Sequence, residues 1–129
     1  MSLTDGVKRA AGKAAGHRIT THPAGVRVRV EHDGQVLAES DRAIALEETG
    51  IQTRYYLPRE DVRTDLLEPS DKTSRCPFKG DATYFSAPGV QDAFWVYEAP
   101  SEEAAKPVAG LVAPWPGRLD VLVDGKPAA

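Results

Sequence analysis

Cys76 is the only thiol in the chain, within the run Arg75-Cys76-Pro77-Phe78-Lys79-Gly80. A thiolate nucleophile needs a nearby cation or helix N-terminus to lower its pKa. Arg75 and Lys79 are local cations, and Pro77 can bend the chain so that Lys79 approaches. The opposing reading is an inert core or pocket-lining thiol, because cysteine is among the most buried residue types. No histidine base is close in sequence: His17, His22 and His32 all lie in the first quarter. Spacing leaves both readings open.

The aromatics form the second constellation. Tyr55, Tyr56, Phe78, Tyr84, Phe85, Phe94, Trp95, Tyr97 and Trp115 all fall after residue 54. Strand alternation puts Trp95 and Tyr97 on one face, and Phe94 with Val96 on the other. One face is the expected core. The other, with a tyrosine of the Tyr55-Tyr56 pair and Trp115, can line a cleft. Small-molecule sites are mostly apolar with a few convergent polar groups. The competing reading is that every ring fills the core.

Four arginines flank this region: Arg54, Arg59, Arg63 and Arg75. Arginine can grip a carboxylate or phosphate through two parallel hydrogen bonds. Glu60, Asp61 and Asp65 are close enough in sequence to neutralise Arg59 and Arg63 as surface pairs. Glu47 and Glu48 read as exposed acids at a strand end. One cysteine excludes an internal disulfide and a two-thiol zinc site. No metal and no cofactor are expected.

The elements that must carry these residues are short strands. Val26, Val28 and Val30 alternate with Arg27, Arg29 and Glu31, as a half-buried strand requires. Asp33-Gly34 suits a tight hairpin turn, and residues 35–38 return. Further strands are expected over residues 42–47, 53–57, 81–86, 93–98, 108–113 and 119–123. Residues 58–67 read as a helix, with Pro58 in the first turn and Val62 and Leu66 as its apolar stripe. Residues 70–80 read as a polar loop, and residues 101–105 as one helical turn capped by Ser101. No βαβ alternation and no glycine-rich phosphate loop appear.

At 129 residues the chain suits a single domain. Residues 1–22 read as a flexible or marginally helical arm, with Lys8, Arg9, Lys13 and Arg18 outweighing Asp5. Residues 23–129 read as the β domain. Hydrophobic residues make up 41% and charged residues 27%, a soluble globular composition. The net charge of −3 argues against nucleic acid as a partner. No apolar run approaches the roughly 20 residues that a bilayer needs, so no membrane partner and a cytoplasmic location are expected.

Several ordered runs carry a family resemblance. They are His17-Arg18-Ile19-Thr20, Val28-Arg29-Val30, Leu46-Glu47-Glu48-Thr49-Gly50 and Tyr55-Tyr56-Leu57-Pro58-Arg59-Glu60-Asp61-Val62. They continue with Leu67-Glu68-Pro69-Ser70, Cys76-Pro77-Phe78-Lys79-Gly80, Asp81-Ala82-Thr83-Tyr84, Trp95-Val96-Tyr97 and residues 120–125. On these the chain resembles the domain-of-unknown-function-427 family of small bacterial and fungal proteins. The resemblance implies a compact, mainly antiparallel two-sheet domain of the β-tent type. Related tents bind zinc through paired cysteines, which this chain lacks. The family also carries a nucleotidyltransferase-like label. The paired strand carboxylates of such enzymes are not evident: Asp120 and Asp124 stand roughly 13 Å apart at strand rise.

The expectation is a small-ligand-binding β domain. Its cleft would use Tyr55, Tyr56, Cys76, Lys79, Trp95 and Trp115, with Lys79 meeting an anionic or carbonyl group. The alternatives are an enzyme, nucleotidyltransferase-like or dependent on Cys76, and a structural or partner-binding module. The oligomeric state is not readable.

Overall fold

The computed structural model describes residues 16–77 and 79–128. The N-terminal arm through residue 15, and Phe78, lie outside the described residues. The fold is mainly β and antiparallel. Among the described residues eleven strands run in order: β1 (Ile19–Pro23), β2 (Val28–His32), β3 (Gln35–Ser40), β4 (Ile44–Glu48) and β5 (Ile51–Tyr56), then β6 (Glu68–Cys76), β7 (Gly80–Ala87), β8 (Val90–Tyr97), β9 (Ala113–Pro114), β10 (Asp120–Val123) and β11 (Lys126–Pro127). Residues 19–22 pair with β4 as strand β1, so the sheet reaches into the segment read as an arm.

Hydrogen bonding divides the strands into three sheets, where two were expected. Their orders are β1-β4-β5, β11-β10-β2-β3 and β6-β7-β8-β9. A seam joins the first to the third: Leu57 N donates to Val112 O at 2.8 Å, and Val112 N returns the bond at 2.9 Å. Leu57 directly follows β5, and Val112 directly precedes β9. The two sheets therefore run on through one pair of residues, and the β2-centred sheet packs on them.

Turn chemistry sets two of the hairpins. Asp33 and Gly34 both have positive φ, at 50° and 80°. That is the mirror-image turn whose twist matches its flanking strands. Asp124 and Gly125 repeat it between β10 and β11, at 50° and 82°.

Residues 58–67 form no helix. Two three-ten turns, Arg59–Asp61 and Thr64–Leu66, stand in its place. Between them Val62 is extended and bridged to Ala38, and Arg63 N donates to Leu37 O at 2.8 Å. A tertiary strand contact has overridden the local helical spacing. Residues 70–80 are no loop either, because most of them belong to β6. Of residues 108–113 only the end is strand-like, Val112 bridging Leu57 and Ala113 opening β9; Val108 ends a three-ten segment, Glu103–Val108, that packs over β1 and β4. Ser101 does not cap it; its hydroxyl donates to Pro77 O at 3.4 Å.

The buried residues form two clusters. The first holds Val28, Val30, Leu37, Val62, Phe94, Val96, Leu119 and Val121 between the β2 sheet and one face of β8. The second holds Ile19, Leu46, Tyr56, Tyr84, Trp95, Tyr97 and Val108 on the other face of β8. Residues 93–97 are all buried, since this central strand is covered on both sides. Among the described residues no helix is long and apolar enough to cross a membrane.

Asp61 ties the first three-ten turn to the β3–β4 corner. Its carboxylate accepts from Ser40 Oγ at 2.6 Å and from Arg42 at 3.0 and 3.1 Å. The Ser40 hydroxyl first, and Arg42 after it, hold the carboxyl below its ordinary value. The unfolded chain therefore takes up this proton at higher pH than the folded chain does. The stabilisation is complete above the ordinary carboxylate range and is lost as pH falls through the folded value. Asp61→Asn is expected to cost about 1–3 kcal/mol at neutral pH and to flatten the acid limb of the stability profile. Urea unfolding at stepped pH checks this. An unchanged acid limb would assign the slope to other carboxylates.

Candidate functional site

A buried ion pair adjoins the second cluster at the Tyr97 ring. Glu48 shares the inward face of β4 with Ile44 and Leu46, so strand alternation carries its carboxylate into the interior. Lys79 lies in the turn between β6 and β7. Its Nζ stands 2.5 Å from Glu48 Oε1, and the two side chains are only 9% and 5% exposed. The same ammonium stands 5.7 Å from the centroid of the Tyr97 ring. The other oxygen, Glu48 Oε2, faces His17 Nε2 at 3.2 Å.

Backbone geometry turns Lys79 inward. Gly80, next in the chain, has φ +94°, and a Cβ there would stand 2.9 Å from Ala99 O. The turn can lie against residues 99–100 only with glycine in this position. Gly80→Ala combines left-handed strain of about 1–2 kcal/mol with a backbone clash. Gly125, at φ +82° with nothing within 4 Å, carries the strain alone. Gly80→Ala is therefore expected to destabilise clearly more than Gly125→Ala in paired denaturant titrations. Equal losses would remove the close approach to Ala99 as a constraint.

Beside the ion pair the rings form a chain of contacts. Register places Tyr84 opposite Trp95, and Ala82 opposite Tyr97. Trp95 meets Tyr56 edge-on at 6.1 Å and Trp115 edge-on at 5.2 Å, while Tyr84 meets Trp115 at 6.3 Å. Trp95 Nε1 donates to the Tyr56 hydroxyl at 3.2 Å. Tyr84 shares a 3.0 Å hydrogen bond with Ser74 Oγ. Burial raises the Tyr56 and Tyr97 phenols well above their ordinary values, and the negative charge of Glu48 adds to it. Both are therefore neutral donors at physiological pH. At the rim the Arg118 guanidinium lies 4.8 Å from the Trp115 ring centroid, and Lys72 Nζ lies 5.4 Å from that of Tyr84.

Five of the six residues chosen for the cleft meet here. Tyr56 and Trp95 are inside the cluster, half-buried Cys76 and Trp115 pack against it, and Lys79 reaches it through its pair with Glu48. Tyr55 does not: alternation sends it to the opposite face of β5, where it packs on the first cluster. Lys79 is not a free cation awaiting an anion, and Glu48 is not an exposed acid. The selection missed Glu48, Tyr84 and Tyr97. Period-two counting from Leu46 would have found the first, and the pairing of β7 with β8 the other two.

Other candidates resolve into ordinary contacts. Arg59 bonds Gly110 O and Glu98, Arg63 bonds Asp65, and Arg75 bonds Asp81. Asp120 is exposed on β10, and Asp124 accepts from Arg27 N in the turn beyond it. The two do not converge. Among the described residues no group of three or more His, Cys, Asp or Glu is placed to hold a metal ion. An open depression of about 350 Å³ adjoins the β4–β5 hairpin, lined by Arg18, Thr20, Glu47, Glu48, Ile51 and Thr53, among others.

A family model described as Domain of unknown function (DUF427) matches residues 20–125. No curated protein matches the chain.

Proposed function

We propose, starting from the fact that the chain belongs to the DUF427 family, that it is a small-ligand-binding β domain. Its site in this reading is the aromatic and ionic cluster between the β1-β4-β5 and β6-β7-β8-β9 sheets. The supporting observation is the buried Lys79–Glu48 pair, whose ammonium faces the Tyr97 ring of the cluster that also holds Tyr56 and Trp95. Taking two charges out of water costs more than a well-packed apolar pair would. Stability alone therefore gives little reason for such a pair beside an aromatic cluster. A polar anchor for a bound molecule does, since ligand sites combine apolar walls with a few placed polar groups.

In this reading the half-buried Trp115 ring meets the body of the ligand, Trp95 and Tyr84 pack behind it, and half-buried Cys76 lines the wall. Thermal-shift screening of a small-molecule library tests it. A true ligand at a hundred times its Kd adds about 2.7 kcal/mol of stability, a rise of several degrees. The doubly apolar variant Glu48→Met/Lys79→Met should retain the fold and lose that response. Hits that stabilise this variant as strongly as the wild type would overturn the assignment.

A further inference from the structure

The open depression beside the β4–β5 hairpin, about 350 Å³, has the volume of a small-molecule cleft. Arg18, Thr20 and Glu47 are among the residues that line it. Register sets Thr20 opposite Glu47. One step along, Arg18 lies opposite Thr49, whose N donates to Arg18 O at 3.0 Å. Alternate residues of a strand share a face, so Arg18 stands beside Thr20. Arg18 is then the diagonal neighbour of Glu47, roughly 7–8 Å away between backbones.

These two opposite charges are not spent on each other. The Arg18 side chain is exposed and forms no ion pair among the described residues. Glu47 offers Oε2 to His22 Nε2 at 3.0 Å, and its side chain is 56% exposed, which leaves Oε1 open. Ile51 supplies an apolar wall. At 43% it is the one large hydrophobic side chain left exposed among the described residues. Covering it removes apolar surface from water, which favours binding. Thr20 and Thr53 add hydroxyls to the lining.

Each part selects a complement. A guanidinium grips a carboxylate through two parallel hydrogen bonds. A plain carboxylate, however, would also face the like charge of Glu47, and a plain amine would face that of Arg18. A molecule that carries both charges beside a short apolar body meets all three parts at once. We infer that this depression binds a free aliphatic α-amino acid, with its carboxylate on Arg18, its ammonium toward Glu47 and its side chain against Ile51. The site is separate from the aromatic cluster, and the inference does not rest on ligand binding there.

Calorimetric titration of the full chain with four probes tests it. L-leucine has all three parts. L-leucinamide lacks the carboxylate, 4-methylpentanoate lacks the ammonium, and glycine lacks the side chain. The expected result is that L-leucine binds about tenfold more tightly than each of the others. Arg18→Gln should bring L-leucine down to the level of L-leucinamide, and Ile51→Ser should bring it down to that of glycine. Both side chains are exposed, so neither variant should move the unfolding midpoint. Equal affinity of L-leucine for Arg18→Gln and wild type would overturn the inference. Binding of 4-methylpentanoate as tight as that of L-leucine would overturn it in favour of a plain carboxylate site. Heat changes with none of the four probes would also overturn it, leaving Arg18 and Glu47 as solvated surface charges.

Discussion

Lys79→Met is expected to lower the unfolding free energy by about 3–5 kcal/mol, the usual cost of leaving half of a buried ion pair behind. The Glu48 carboxylate would remain in an interior where its own side chain is 5% exposed, with His17 beside it. Glu48→Met should cost a similar amount, since it strands the ammonium against the Tyr97 ring. The double variant is expected to recover most of the loss, because two methionines of similar length can pack where the charges stood. Urea titration of the four proteins closes the cycle and gives the coupling directly. Single-variant losses below about 1 kcal/mol would place the pair in the range of solvent-exposed bridges. The losses should also change little with added salt, since buried pairs are poorly screened.

Trp95→Ala is the second large effect. A cleft wall already open to water would make this change cheap, and a packed ring would make it expensive. Trp95 is 6% exposed and touches both Tyr56 and Trp115. Removal leaves a cavity and deprives the buried Tyr56 oxygen of its donor. About 3–5 kcal/mol is expected from the cavity, with near-UV circular dichroism losing the signal of the paired indoles. Trp115→Ala, at the half-buried rim, should cost clearly less. Similar losses at both positions would mean that Trp115 is as deeply packed as Trp95 and that the cluster has no open side there.

Local pattern revealed those parts of the fold whose strands keep one wet face. Val28 and Val30 alternate with polar neighbours, and Asp33-Gly34 announces its hairpin, so β2 and β3 were readable. β6 was not. Only Ser70 and Cys76 along it are even half-buried. An edge strand that buries neither face shows no apolar period and resembles a loop. The 58–67 segment misled in the opposite way, because Val62 and Leu66 have helical spacing but serve separate turns. The aromatic half of the site was legible from its density after residue 54. The ionic half was hidden, because Glu48 meets a lysine 31 residues away that only the β6–β7 turn brings inward. Tyr55 and Tyr56 were interchangeable by composition; the register of β5 alone assigns them to different cores.

The β2 sheet also sets an order of events during synthesis. β2 pairs with β3 almost at once, but its other edge waits for β10, which begins at Asp120. At roughly 5–20 residues per second, the ribosome needs on the order of ten seconds to deliver that strand after β2 has been made. Over that interval the nascent hairpin shows an unpaired edge, and until β8 is made it also lacks Phe94 and Val96, which cover Val28 and Val30. No other strand pairs with that edge sooner, since β10 and β11 follow every other strand in the chain. A ribosome stalled before residue 120 would therefore hold a chain suited to capture by chaperones, whereas the released chain, free to pair β10 with β2, would not.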